Sequence, residues 1–434
     1  MERVAVGLLG LGTVGAGVAR LLNVAGERIA RRTGRRIEVK WALVRDRDRR
    51  RDIPIAADRI VTDRRKILDD PEVAIVVELM GGVEPTLSVV LEALAAGKDV
   101  VTANKALLAE RGPEIFAQAR RFGRAVAFEG SVAGGIPIVQ ALGVSLAANQ
   151  VQSLAAIVNG TCNFILTEMT RSGLAYETAL RQAQELGYAE ADPTLDVDGT
   201  DTAHKLAVLA QLAFGASVTT AQIPRVGIDR LQTADIRYAA ELGYTVKLLA
   251  LAKLADAGLE LRVAPTLVRH GTPLADVSGP YNAIRVVGDA VGDTLFYGRG
   301  AGAMPTASAV VGDLIDVAVG RAALTSRTLN LWADPASQTK LAAPSQVRSR
   351  YYLRFTIADR PGVLASLAQA LGVHGISIAS VIQHDPGDDA PPGGPVPLVI
   401  MTHMAIEANL MKALAEIDRL DVVHATSVCL GVEE

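Results

Sequence analysis

The stretch VAVGLLGLGTVGAGVARLL, residues 4–22, decides the fold. Val4–Leu9 is an apolar run that reads as a buried strand, and the residues after Gly15 return to a helical pattern. Between them stands GLGTVG, Gly10 to Gly15, which fits GxGxxG. Glycines at these places permit a tight turn and close backbone approach, so a pyrophosphate can meet the amino terminus of the following helix. Glycine-rich turns also serve plain helix–strand packing, and the pattern alone is weak. A strand before it and a helix after it make a dinucleotide site the expected reading.

Working outward, residues 1–140 alternate short apolar runs with helical patterns. Strands are expected at Val4–Leu9, Ile37–Val44, Val73–Leu79, Asp99–Thr102 and Ala125–Phe128, with helices such as Thr86–Ala96 and Pro113–Phe122 between them. That spacing predicts an α/β domain of Rossmann type, a doubly wound parallel sheet. From about 150 to 300 an α+β domain is expected. Its helices are Tyr176–Leu186, Thr202–Phe214 and Ala234–Ala255, and its β-like segments Leu259–Val263 and Asn282–Val287. Pro305 follows the glycine-rich YGRGAGAM and stands near the start of a helix, Ala307–Gly320, that is expected to return to the first domain. ADPASQTKLAAPSQ, 333–346, reads as a linker. The remainder runs strand, helix, strand, strand, helix, strand, the βαββαβ order of a ferredoxin-like fold. The expected domains are 1–140, 141–332 and 349–434, joined by a linker at 333–348.

A chain of 434 residues is too long for one ordinary core, which agrees with two or three domains. Half its residues are hydrophobic and 21% are charged, a globular composition. The net charge of -3 gives no reason to expect nucleic acid or an anionic membrane as partner. Two cysteines far apart, Cys162 and Cys429, suit a reducing cytoplasm. No signal-peptide pattern precedes the glycine motif, and no apolar run approaches the ~18 residues of a membrane span. The expectation is a soluble cytoplasmic protein.

Two basic residues mark the edge of the first sheet. The second strand ends WALVRDRDRRR, so Arg45 stands where an NAD-preferring fold favours an acid. An arginine there can pair with a 2′-phosphate, which favours NADP over NAD; an arginine-rich solvated loop is the alternative, and Asp46 is adjacent. TANKALLA, 102–109, follows the fourth strand, which puts Lys105 on the carboxyl edge where open α/β sheets bind ligands. Lys105 could touch the cofactor or a substrate carboxylate.

AEADPTLDVDGTDTAHK, 189–205, carries five carboxylates and ends on Lys205. An EF-hand reading places Lys205 at position 12, where a bidentate glutamate is needed, so calcium fails. Zinc fails too, because only His204 is nearby and no cysteine has ligand spacing. Asp201 and Lys205 are four apart, hence on one helical face. Structurally that is an ordinary ion pair; functionally it is a lysine held in orientation by its partner.

These residues together resemble homoserine dehydrogenase of the longer bacterial type, over nearly the whole chain. AQELGYAEADPTLDVDGTDTAHK, 183–205, fits that family's signature, and FEGSVAGGIPIV, VNGTCNFIL and TANKALLA look like its other blocks. The carboxyl-terminal module, with ADRPGVLASLAQAL, resembles an ACT domain. The resemblance implies reversible reduction of L-aspartate 4-semialdehyde to L-homoserine by NADPH or NADH, on the branch toward threonine, methionine and isoleucine. It implies that Lys205 is the proton donor with Asp201 beside it, and that Glu190, Asp192 and Asp196 bind the substrate. Gly10, Leu11, Gly12, Thr13, Val14, Gly15, Lys105 and Gly302 would contact the cofactor, with Arg45 at its phosphate end. A sodium-type ion would be held by oxygens of Glu129, Val132, Gly134 and Ile136. It further implies threonine as an effector at the ACT module and a homo-oligomer, dimer or tetramer. Asp198 has no role beyond a solvated turn. The rivals are a dehydrogenase for another semialdehyde or hydroxy acid, and a non-catalytic metabolite sensor, which would need no positioned proton donor.

Overall fold

The first strand is buried along six successive residues, Val4 to Leu9, as a strand covered on both faces must be. It belongs to a computed structural model that describes residues 1–49, 51–329, 332, 339–343, 345–384 and 394–433. The chain forms two compact units. The first comprises Met1–Gly160, Thr200–Pro224 and Pro280–Thr339; the second comprises Thr161–Gly199, Arg225–Gly279 and Lys340–Glu434. Among the described residues no helix is long and apolar enough to cross a membrane.

The first unit opens with β1 (Glu2–Leu9), α1 (Thr13–Thr33), β2 (Arg35–Leu43), β3 (Ile60–Val61), α2 (Arg65–Leu68) and β4 (Val73–Glu78). There follow α3 (Thr86–Ala95), β5 (Asp99–Thr102), α4 (Lys105–Phe122) and β6 (Val126–Ala127). The sheet order is β3-β2-β1-β4-β5-β6, parallel throughout. Strand order reverses between β1 and β4, the place where such sheets bind ligands. The helix Ala303–Ala318 does return here. Its Ala307, Val310, Val311, Leu314 and Val317 join Val18 and Leu22 of α1 in one core with Val4, Val6 and Leu8 of β1. An antiparallel ladder of Gly292–Arg299, Tyr281–Gly288 and Val151–Ile157 also belongs to this unit.

One helix is longer than expected. α4 begins at Lys105, not at Pro113, and carries the proline inside it. Asn104 caps its start by accepting from the Leu107 amide at 3.1 Å. The buried positions Leu107, Leu108, Ile115, Phe116 and Ala119 keep the helical period across Pro113.

In the second unit the expected helix Ala234–Ala255 is two elements. A helix, Thr233–Glu241, ends before Gly243, whose φ of 84° is left-handed. A strand, Tyr244–Ala255, follows and pairs along its whole length with Gly258–Arg269. Alanine and leucine gave this stretch a helical look, and cross-strand pairing overrides that preference. The last segment forms the expected βαββαβ module, with ladder order Val423–Glu433, Tyr351–Ala358, Pro395–Thr402, Ile378–Ile382. Helices Val363–Val373 and Glu407–Ile417 cover one face through Leu367, Leu371, Leu410 and Leu414 against Leu353, Phe355 and Ile357. On the other face Arg354 donates to the Asp235 carboxylate at 2.6 and 3.0 Å in a buried pair. Strand Val423–Glu433 continues the ladder by pairing parallel with Gly258–Arg269. Of the expected linker, 333–346, residues 333–338 and 344 lie outside the described residues.

Candidate active site

The glycine turn is built by backbone contact. Gly10 has a φ of 102°, and a Cβ there would lie 2.7 Å from the Leu79 carbonyl oxygen. A Cβ on Gly15 would collide with the Gly10 carbonyl, so the turn closes only with hydrogen at that place. Gly12 is different: a Cβ there meets nothing within 4 Å, and Gly12 is the residue before the first turn of α1. Thr13 and Gly12 are exposed, Val14 is half-buried and Leu11 is buried, so the turn presents backbone outward. Gly302, with a φ of 116°, precedes the helix Ala303–Ala318, whose first carbonyl lies against Gly17 of α1. Arg45 is exposed just beyond β2.

Lys105 is the first residue of α4, on the carboxyl side of β5. Its Nζ lies 2.8 Å from Oδ1 of Asp201. Asp201 and Lys205 share the first turns of the helix Thr200–Phe214, both buried. Lys205 Nζ donates to Asp201 Oδ2 at 2.7 Å and to the Val158 carbonyl at 2.6 Å. Asn159 Nδ2 donates to the same Oδ2 at 2.9 Å. Burial pushes the Asp201 carboxyl up, but the ammonium groups of Lys205 and Lys105 outweigh it and hold the acid well below the usual carboxylate range. Two ammonium groups share one carboxylate, so the cluster carries one net positive charge. An ammonium has three N–H donors. Lys205 uses two on protein acceptors, which fixes where the third can point.

Such a cluster suits a carbonyl substrate that gains charge on oxygen, because an oriented donor stabilises the developing alkoxide. Asn159 was not assigned by sequence, although VNGTCNFIL contains it; nothing local marks an asparagine whose partner is Asp201.

The acids Glu190, Asp192 and Asp196 belong to the second unit. Glu190 is exposed. Asp192 Oδ1 accepts from the Thr194 hydroxyl at 2.6 Å and its amide at 3.1 Å, which holds that carboxyl below its usual range. Asp196 is half-buried in the one-turn helix Thr194–Val197, and its carbonyl accepts from Cys162 Sγ at 3.2 Å. Asp198, expected in a solvated turn, is half-buried at the end of that helix. In the first unit the Glu129 carboxylate accepts from the amides of Val139 and Gln140, each at 2.9 Å. The Gly134 amide donates to Gly300 and the Ile136 amide to Ala133. Among the described residues no group of three His, Cys, Asp or Glu side chains is placed to hold a metal.

Three family profiles match the chain. Residues 10–129 match the NAD-binding domain of homoserine dehydrogenase, residues 137–315 match homoserine dehydrogenase itself, and residues 351–421 match the ACT domain. A homoserine dehydrogenase of Pseudomonas aeruginosa is 44% identical over 440 residues, which covers 100% of both chains. The crystal structure of a homoserine dehydrogenase from Thiobacillus denitrificans is similar with a TM-score of 0.91 and 45% identity, covering 100% of this chain and 99% of that one. A hyperthermophilic archaeal homoserine dehydrogenase solved in complex with NADPH covers 73% of this chain and 97% of its own, at 25% identity and a TM-score of 0.60. A Rossmann-type sheet with a glycine turn, a lysine pair on one carboxylate and full-length relatives of one activity converge: the chain belongs to the homoserine dehydrogenase family, NAD(P)-dependent oxidoreductases, in its form with a carboxyl-terminal ACT domain.

Proposed function

We propose that the enzyme reduces L-aspartate 4-semialdehyde reversibly to L-homoserine with NADPH as preferred cofactor, and that Lys205 gives the proton to the aldehyde oxygen. The observation that carries this reading is the Asp201 carboxylate held between Lys205 and Lys105 at 2.7 and 2.8 Å. When bound, the nicotinamide supplies the hydride to the aldehyde carbon. Lys205 keeps its third N–H for the substrate oxygen, and Asp201 and the Val158 carbonyl set its direction. Lys105 adds a second positive charge at the same carboxylate, which favours both the alkoxide and the substrate carboxylate. Glu190, Asp192 and Asp196 are the proposed partners of the substrate ammonium, a charge-assisted pairing. Gly10 to Gly15 and Gly302 offer backbone to the pyrophosphate, and exposed Arg45 is the proposed partner of the 2′-phosphate.

We also propose a monovalent cation at the loop after β6. Burial pushes the Glu129 carboxyl up, and burial together with Glu129 pushes up Asp313, so a cation there would offset the cost of holding these acids in their charged form. The donors would be the Glu129 carboxylate and the carbonyls of Val132, Gly134 and Ile136, an all-oxygen set suited to a hard ion. Such an ion would fix the loop and offset the acids. The ACT module is proposed to sense threonine and to place the enzyme under feedback on the route to threonine, methionine and isoleucine. One assay tests these readings: oxidation of NADPH and NADH with aspartate semialdehyde, with and without threonine, and with sodium exchanged for choline. Turnover with aspartate semialdehyde, faster with NADPH, supports the reaction; no turnover with either cofactor overturns it.

A further inference from the structure

Glu78 closes β4 and is fully shielded from solvent, yet the mechanism above gives it no task. Its Oε1 accepts from the amides of Met80 and Gly81 at 2.8 and 3.2 Å. Its Oε2 accepts from the Thr102 hydroxyl at 2.6 Å. The same hydroxyl oxygen accepts from the Asn104 amide at 3.0 Å. Asn104 then donates from Nδ2 to the Gly82 carbonyl at 2.7 Å and caps α4 with Oδ1. Lys105 is the next residue. Burial pushes the Glu78 carboxyl up, and the donors around it work in the other direction.

Burying a carboxylate is costly even when it is well hydrogen-bonded, and an apolar side chain would fill a plain core position better. The position is a junction, however. On one side the turn Leu79–Gly82 rests on the glycine turn, through the Leu79 amide to the Leu9 carbonyl at 2.8 Å and the Leu79 carbonyl against Gly10. On the other side Thr102 and Asn104 lead directly to the helix start that carries Lys105. A single side chain therefore ties the cofactor turn to the lysine.

We propose that Glu78 is a positioning residue for the dehydrogenase reaction: it fixes Lys105 relative to the Leu79–Gly82 turn and so to the bound dinucleotide. The proposal rests on the assignment of Lys105 to the reacting cluster. Glu78→Gln keeps the shape and the acceptor for Met80 and Gly81 but sets an NH2 group against the Thr102 hydroxyl, whose proton loses its acceptor in the buried site. Restoring that bond turns the hydroxyl and draws the start of α4 with it. Misplacement on the order of 1 Å can cost about a hundredfold in rate, so kcat is expected to fall about 10- to 100-fold.

The test is a double-mutant cycle on the full-length enzyme, with kcat and NADPH affinity measured for Glu78→Gln, Lys105→Ala and the pair. If Glu78 acts through Lys105, Glu78→Gln lowers kcat in the native background and by less than about twofold once Lys105 is alanine. An equal loss in both backgrounds, or no loss in the native one, overturns the proposal. A Lys105→Ala enzyme with native kcat overturns the assignment of Lys105 first, and the proposal with it. Should Glu78→Gln fail to fold, Thr102→Val removes the hydroxyl from the same chain of contacts and enters the same cycle with the same two outcomes.

Discussion

Asp201→Asn separates what the carboxylate does for stability from what it does for chemistry. The acid sits 2.7 Å from Lys205 Nζ, and the side chains are 8% and 10% exposed. At an effective dielectric constant near 20, a pair at that distance is worth about 6 kcal/mol before the cost of desolvation. Removing one partner of a buried pair leaves the other uncompensated, at a measured cost of about 3–5 kcal/mol. Lys105, at 39% exposed, can turn toward water, so the penalty falls on Lys205. Asp201→Asn is therefore expected to lose about 3–5 kcal/mol of unfolding free energy at neutral pH. The double variant Asp201→Asn/Lys205→Met buries no charge and should return to within about 1 kcal/mol of the native enzyme, since an apolar pair often replaces an ionic one without loss. In that double variant kcat should stay at least about 10²-fold below the native value, since the proton donor is gone. The assay is urea unfolding followed by circular dichroism, extrapolated linearly, beside kcat measured on the same preparations. A loss below about 1 kcal/mol for Asp201→Asn would mean that the pair behaves like a surface salt bridge, and the reasoning would fail. So would a double variant no more stable than the single one.

Gly15→Ala and Gly12→Ala should diverge. The first forces a methyl group onto the Gly10 carbonyl and should lower the melting temperature and NADPH binding together, whereas the second meets open space and should fold normally but bind NADPH about tenfold more weakly. Titration by nucleotide fluorescence with a thermal melt distinguishes them. Asp70 should account for part of the acid sensitivity of the first unit. Burial pushes its carboxyl up, but Lys40 at 2.7 Å and the Trp41 indole at 2.7 Å prevail and bring it down to about 2. A depressed carboxyl stabilises the fold above its unfolded value of 3.8 and loses that contribution as pH falls through about 2. Asp70→Asn should thus cost about 2 kcal/mol at pH 7, with the gap to the native enzyme closing toward pH 2, as unfolding across that range would show.

The parts of this fold that were legible in sequence are those whose cause is local. A strand, a glycine turn and a helix in immediate succession leave few alternatives for residues 4–22, and Asp201 and Lys205 meet because four residues make one turn. The strand Tyr244–Ala255 was illegible because its alanines and leucines favour helix, and its reason to be extended is a partner strand. Pro113 misled in the opposite direction: it reads as a helix start, but the cap at Asn104 and the apolar period outweigh it. Asn159, Glu78 and the contact of Lys105 with Asp201 were beyond reach for one reason: each depends on residues brought together only by the sheet and helix packing.

The most direct test is the turnover of Lys205→Ala in aspartate semialdehyde reduction, with NADPH binding measured on the same sample. If Lys205 is the proton donor, binding stays near the native level and kcat falls by about 10²- to 10⁴-fold, the usual contribution of a positioned acid. A kcat within about threefold of native, with NADPH bound equally well, would contradict the assignment.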